Sequence, residues 1–143
     1  MDSDRPVVRL ARSYRFSAAH FYWDPRLDAE ENEKLFGKCA NRHGHGHDYR
    51  LEVVLQGVPN PETGMLFDLR ELDRTVASAH IERLDHRNLN HEVEFFAARQ
   101  PTCENLALYA WQALAGRLPA GRLEAVRVHE SADLVAEYRG PRG

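Results

Sequence analysis

From residue 7 to 20 the chain alternates. Val8, Leu10, Tyr14, Phe16, Ala18 and His20 fall on one parity, with Arg9, Ser13, Arg15 and Ser17 on the other. Successive side chains of a strand point to opposite faces, so this segment predicts a half-buried strand that Arg12 interrupts once. A second alternation begins in the histidine run: His45, His47, Tyr49, Leu51, Val53 and Leu55 share a face, and Asp48, Arg50 and Glu52 take the other. Residues 21–38 between them are polar and predict only a short helix over 28–36. Residues 57–64 (GVPNPETG) are turn chemistry. A brief strand is expected over 65–68, followed by a helix with Leu69, Leu72, Val76 and Ala79 at helical spacing and Asp68 with Glu71 as its capping box. Residues 84–90 (LDHRNLN) read as a polar loop. Pro101 and Thr102 open a second helix, Thr102 as N-cap, with Leu106, Ala110 and Leu114 on one face. Residues 123–130 and 134–138 predict a hairpin. The order is strand, strand, helix, helix, strand, strand, which indicates an α+β domain with two helices on one face of an antiparallel sheet.

At 143 residues, the chain predicts a single domain, 1–143, with its core over about 7–139; that length supports a core without disulfide staples. The net charge of −3 offers no basic field, so no nucleic-acid partner is expected. No apolar run reaches membrane-spanning length and the start (MDSDRPVV) has no apolar leader core, so no membrane partner is expected. Two cysteines are too few for a disulfide framework, which fits a cytoplasmic location.

The chemistry concentrates in CANRHGHGHDYRLEVVL (39–55). Two imidazoles on one pleated face can chelate one metal ion, and the glycines between them let a ligand or backbone approach closely. The competing account is a flexible His/Gly loop. A third imidazole, His20, ends the first strand on its apolar parity, and antiparallel pairing would bring it to the other two. Zinc favours nitrogen and sulfur donors, and catalytic zinc keeps three protein ligands and one open position. His20, His45 and His47 supply that set; a rival set pairs His43 with His45. Cys39 either closes a structural centre as a fourth ligand or stays free as a base or nucleophile with a pKa lowered by positive charge. Asp85 and His86 place a carboxylate beside an imidazole, the pair proton transfer needs. Read alone, Thr102 and Glu104 are a helix N-terminus and Glu130 a strand-end charge.

Together, FSAAH (16–20), GKCANRHGHGHDY (37–49), ETGMLFDL (62–69), LDHRNLN (84–90), PTCEN (101–105) and Glu130 resemble the 6-pyruvoyl-tetrahydropterin synthase / 6-carboxytetrahydropterin synthase family over nearly the whole chain. The resemblance implies a tunnelling-fold (T-fold) subunit, a four-stranded antiparallel sheet with two helices on one face. Such subunits join into trimers and stack as a homohexamer with active sites at subunit interfaces. It implies Zn2+ on His20, His45 and His47, Cys39 as the catalytic thiol and Asp85 and His86 as its relay. Thr102, Glu104 and Glu130 would be pterin-pocket residues, with Glu130 anchoring the ring's N–H groups, and 65–68 would help wall the pocket. The implied substrate is 7,8-dihydroneopterin triphosphate. Its hydroxyls would meet the zinc, Cys39 would take a carbon-bound proton, and His86 would return one as triphosphate leaves.

The implied product is 6-pyruvoyl-tetrahydropterin or, with acetaldehyde release, 6-carboxy-5,6,7,8-tetrahydropterin of the queuosine pathway. C-x5-H-x-H from Cys39 to His47 looks like the 6-pyruvoyl branch, while Cys39, His43 and His45 also satisfy the C-x3-H-x-H of the other. Cys103 stands where the family usually has a different small residue. The alternatives from other classes are a non-catalytic zinc-bound scaffold, with Cys39 closing a structural site, and a simple zinc hydrolase, which leaves Glu130 without a task.

Overall fold

The computed structural model describes residues 5–141; the outermost ends of the expected 1–143 domain lie outside them. β1 (Val8–His20) pairs antiparallel with β2 (His45–Gly57), β2 with β4 (Leu123–Ser131), and β4 with β5 (Leu134–Tyr138). The expected four antiparallel strands are present. A fifth, β3 (Arg87–Asn88), adds to β1 in parallel, giving the order β3-β1-β2-β4-β5. It lies in the segment expected to be loop; two residues are too few to show a period, so alternation could not reveal it.

The longer helices are α1 (Ala29–Phe36), α2 (Leu69–Val76) and α3 (Cys103–Ala115). A capping box forms at α1, between Asp28 and Glu31. At α2 only the Asp68 half is present, its carboxylate accepting from Arg70 N. Residues 65–68 are not a strand: Met65 O accepts from Asn60 N and Leu66 O from the Arg122 guanidinium, so those carbonyls are committed to a turn and a side chain. Pro119 lies beyond the end of α3, which stops at Ala115.

The apolar parity of the strands meets both helices. Phe16, Tyr49, Leu51, Val53, Leu55, Val126 and Val128 pack with Leu72, Val76, Leu106, Ala110 and Leu114, all buried. Arg12, the one parity break, clamps α2 from that same side. Its Nε and Nη2 donate to the two Asp73 carboxylate oxygens at 2.8 and 2.9 Å, and the Tyr14 hydroxyl donates to Oδ1 at 2.7 Å. No helix among the described residues is long and apolar enough to cross a membrane.

α2 continues through a π-helical turn, Ala77–Ile81, which carries His80 into the core. Its ring packs edge-on against Phe16 at 5.1 Å and Tyr109 at 5.6 Å, and neither ring nitrogen has a hydrogen-bond partner. Burial alone pushes His80 from 6.5 down to about 3. Between those values the unfolded chain binds the extra proton, so stability is whole above pH 6.5 and falls as pH drops toward 3. The slope is roughly tenfold in the folding equilibrium per pH unit. A His80→Leu variant is expected to lose less stability than the parent between pH 7 and pH 5, by roughly tenfold or more in that equilibrium. Urea midpoints at both pH values test this; equal losses in the two proteins would refute it.

Candidate active site

β1 ends where β2 begins, and their register places His20 opposite His45 and Ala18 opposite His47. Antiparallel pairing therefore converts two distant stretches into one histidine cluster. The ring centroids lie 4.7 Å (His20–His45), 4.9 Å (His20–His47) and 4.9 Å (His45–His47) apart, and one ring nitrogen from each falls within 4.8 Å of the others. The backbone enters β2 through Gly44, which has a positive φ of 81° and lies against the His20 carbonyl. A side chain there would be strained, which explains a glycine before His45.

His20 is fully buried. Its Nδ1–H donates to Pro101 O at 2.8 Å, with the Tyr49 hydroxyl 3.1 Å from the same nitrogen. That bond fixes the tautomer and turns Nε2 into the cluster, 3.1 Å from His45 Nε2. Burial lowers His20 to about 4, and burial with the neighbouring His47 lowers His45. Neutral imidazoles aimed at one point suit a divalent cation, and three nitrogens with an open side match the donor set that zinc favours. Glu130 supplies a further sign. Its Oε1 is buried without a hydrogen-bond partner, 3.8 Å from His20 Nε2 and 4.0 Å from His47 Nε2. Such an atom calls for a ligand that brings positive charge or N–H groups. His43 lies exposed in the turn before β2 and is not in this cluster; nor is Cys39.

Cys39 sits in the 3-10 turn Gly37–Ala40, partly buried, and its carbonyl accepts from Tyr22 N at 2.7 Å. The thiol is pushed up, first by burial and then by Glu130, contrary to the lowered value expected of a free thiolate. The flanking cations face solvent, while the negative charge that the thiol senses lies inside. The segment 20–23 that shapes this corner is held by two side chains imitating strand bonds. Asn90 bonds both backbone groups of Phe21, and Gln100 both of Trp23. No sequence pattern marks Tyr22, Asn90 or Gln100; only their long-range contacts do.

The Asp85–His86 pair forms at β1's edge. Asp85 Oδ1 accepts from Ser17 N at 2.9 Å, Oδ2 meets His86 Nδ1 at 3.0 Å, and His86 N donates to Ser17 O at 2.6 Å. These bonds hold His86 at φ 61°, a left-handed conformation costly for a non-glycine residue. The Asp85 carboxyl is held low, chiefly by the Ser17 N–H. The His86 ring is exposed, in a cleft with Ser17, Ala19, Gly46, Asp48 and Asn88. Among the described residues no hydrogen bond or ion pair joins this pair to Cys39 of the same chain.

Thr102 caps α3, its hydroxyl accepting from Asn105 N at 3.2 Å, and Glu104 is exposed in the first turn. Cys103 is buried, donates to Val128 O at 3.0 Å and is pushed up to about 11 by burial; both cysteines are free.

Known proteins resemble this chain along most of its length. The family model described as 6-pyruvoyl tetrahydropterin synthase matches residues 9–141. The 6-pyruvoyl tetrahydrobiopterin synthase of Drosophila melanogaster is 41% identical over 140 residues, covering 97% of this chain and 83% of that protein. The Homo sapiens protein of the same name is 41% identical over 136 residues, covering 95% and 94%. The structure of Caenorhabditis elegans 6-pyruvoyl tetrahydropterin synthase superposes with a TM-score of 0.89 at 37% identity, over 96% of this chain and 98% of that one.

Proposed function

This chain belongs to the 6-pyruvoyl tetrahydropterin synthase family and has its tunnelling fold, and from that premise we propose that it is a lyase converting 7,8-dihydroneopterin triphosphate to 6-pyruvoyl-tetrahydropterin, in tetrahydrobiopterin biosynthesis. The observation that carries this reading is the convergence of His20, His45 and His47 beside the orphaned Glu130 oxygen and Cys39. A structural centre closed by Cys39 finds no support, because the thiol is outside the histidine cluster. The 6-pyruvoyl product is favoured over the 6-carboxy one because His45 and His47 are clustered, and not His43, and because relatives near 40% identity carry the 6-pyruvoyl name.

The chemistry balances internally. Conversion of a dihydro- to a tetrahydropterin reduces the ring while the side-chain carbinols become carbonyls, so no external oxidant or reductant is required. A C–O bond to triphosphate breaks, its electron pair leaving on oxygen. A divalent ion on the three imidazoles, zinc by donor type, would polarise the substrate's hydroxyls and offset the Glu130 charge that disfavours the Cys39 thiolate. Glu130 accepts the pterin ring's N–H groups, a charge-assisted pair that satisfies its buried oxygen. Thr102 and Glu104, at the start of α3, would help line the pterin pocket in this reading. Cys39 takes the carbon-bound proton, and His86, oriented by Asp85, returns one.

That no hydrogen bond or ion pair joins Cys39 to Asp85–His86 among the described residues supports completion of the relay by a second copy, in a homohexamer of paired trimers. The unpaired edge of β1 before Ala18 and the outer edge of β5 supply sheet edges for such joining. The whole described chain works as one domain in this reading.

Product analysis by mass spectrometry, after mixing zinc-loaded protein with 7,8-dihydroneopterin triphosphate, tests the assignment. Triphosphate release with every side-chain carbon retained is the expected outcome. Acetaldehyde beside triphosphate would give the 6-carboxy reaction instead. No turnover with metal bound and fold intact would overturn the lyase reading in favour of a scaffold.

A further inference from the structure

Two cations flank Cys39 in sequence without a carboxylate partner among the described residues. Lys38 precedes Cys39 in its 3-10 turn and Arg42 follows three residues later; both are exposed, and among the described residues neither side chain makes a hydrogen bond or an ion pair. Arg9, Arg12, Arg26, Arg50 and Arg127, by contrast, each face a carboxylate. Arg42 is nevertheless held in place. Its guanidinium lies 4.9 Å over the Trp23 ring. Trp23 is itself fixed by Gln100 at both its backbone N–H and its carbonyl, and it follows Tyr22, the residue bonded to Cys39. Stacking occupies the face of a guanidinium and leaves its N–H edges open, the geometry that a phosphate oxygen pair accepts.

We propose that Lys38 and Arg42 form the receptor for the substrate's triphosphate, with Trp23 as the platform that orients Arg42. The inference rests on the lyase reading of the same site. A fully ionised triphosphate carries several negative charges, and the cluster beside it contributes a further carboxylate, Glu130. Cations on the solvent side of Cys39 hold that group during C–O cleavage, when negative charge builds on the departing oxygen. They do so without neutralising Glu130, which stays free for the pterin ring.

The test compares the metal-loaded parent with Lys38→Gln, Arg42→Gln and the double variant, and with Arg74→Gln, an exposed α2 arginine with no side-chain partner among the described residues, as control. Each single variant is expected to raise KM for 7,8-dihydroneopterin triphosphate roughly tenfold, and to weaken inhibition by inorganic tripolyphosphate in the same proportion. Trp23→Leu should reproduce part of the Arg42→Gln effect and add nothing to it. Chelation by tripolyphosphate is common to all the proteins, so the differences report the cations. Unchanged tripolyphosphate inhibition in the double variant, with the parent active, would overturn the receptor and leave the lyase reading standing. A parent that does not turn over would remove the lyase reading. Calorimetric titration with tripolyphosphate then decides the receptor alone: equal affinity in parent and double variant refutes it.

Discussion

Replacing His45 by alanine is expected to empty the metal site and lower turnover on the order of a thousandfold or more, the several kcal/mol that a Lewis acid contributes to a developing oxyanion. The geometry makes this residue the sensitive one. His45 faces His20 directly across the β1–β2 ladder, with their Nε2 atoms 3.1 Å apart. Without a cation, one Nε2–H can donate to the other's lone pair; with one, both nitrogens give their lone pairs to the same ion. Two ligands would remain, too few for the three-imidazole centre. The measurement is metal content per chain by plasma emission spectroscopy, alongside turnover. Undiminished metal content in His45→Ala would remove the histidine cluster from the mechanism and shift attention to His43.

Cys39→Ala should have a comparable effect on rate with the opposite effect on metal. Loss of a positioned proton-transfer group costs roughly 10²- to 10⁴-fold in kcat, while the three imidazoles, His20 still fixed by Pro101 O, should keep their ion. KM should change little, because the role proposed for the thiol puts it at the reacting carbon and not at the pterin edge or the triphosphate. The pair of variants separates two roles that lie close in space: His45→Ala loses metal and rate, Cys39→Ala loses rate alone. Metal loss in Cys39→Ala would instead make the cysteine a ligand and revive the scaffold. Since the thiol is held up by burial and by Glu130, the catalysis expected of Cys39 depends on charge brought in by ligand and partner, and the isolated chain should react sluggishly with thiol reagents.

Some of the site was legible before any fold was known, because its signal is local. Parity alone puts His45 and His47 on the face shared by Tyr49, Leu51, Val53 and Leu55, and all four of those residues are buried. It likewise puts His20 with Phe16 and Ala18. Thr102 as an N-cap and the 134–138 arm of the hairpin follow from nearest-neighbour chemistry in the same way. Period and turn composition are properties of a few consecutive residues, so they survive without knowledge of what lies opposite.

The remainder depended on pairing across long sequence distances, which no local period encodes. Register decided that His20 faces His45 and that His43 stays outside. Arg12 looked like an error in the alternation until α2 brought Asp73 to it. Asp85 and His86 are adjacent in sequence, yet only their bonds to Ser17 place them on the edge of β1, with His86 strained and its ring exposed. The raised Cys39 thiol, the unpartnered His80 and the clamps from Asn90 and Gln100 belong to the same class. Burial and hydrogen-bond partners are set by whichever segments tertiary packing brings together, and the charge state of a side chain follows from them.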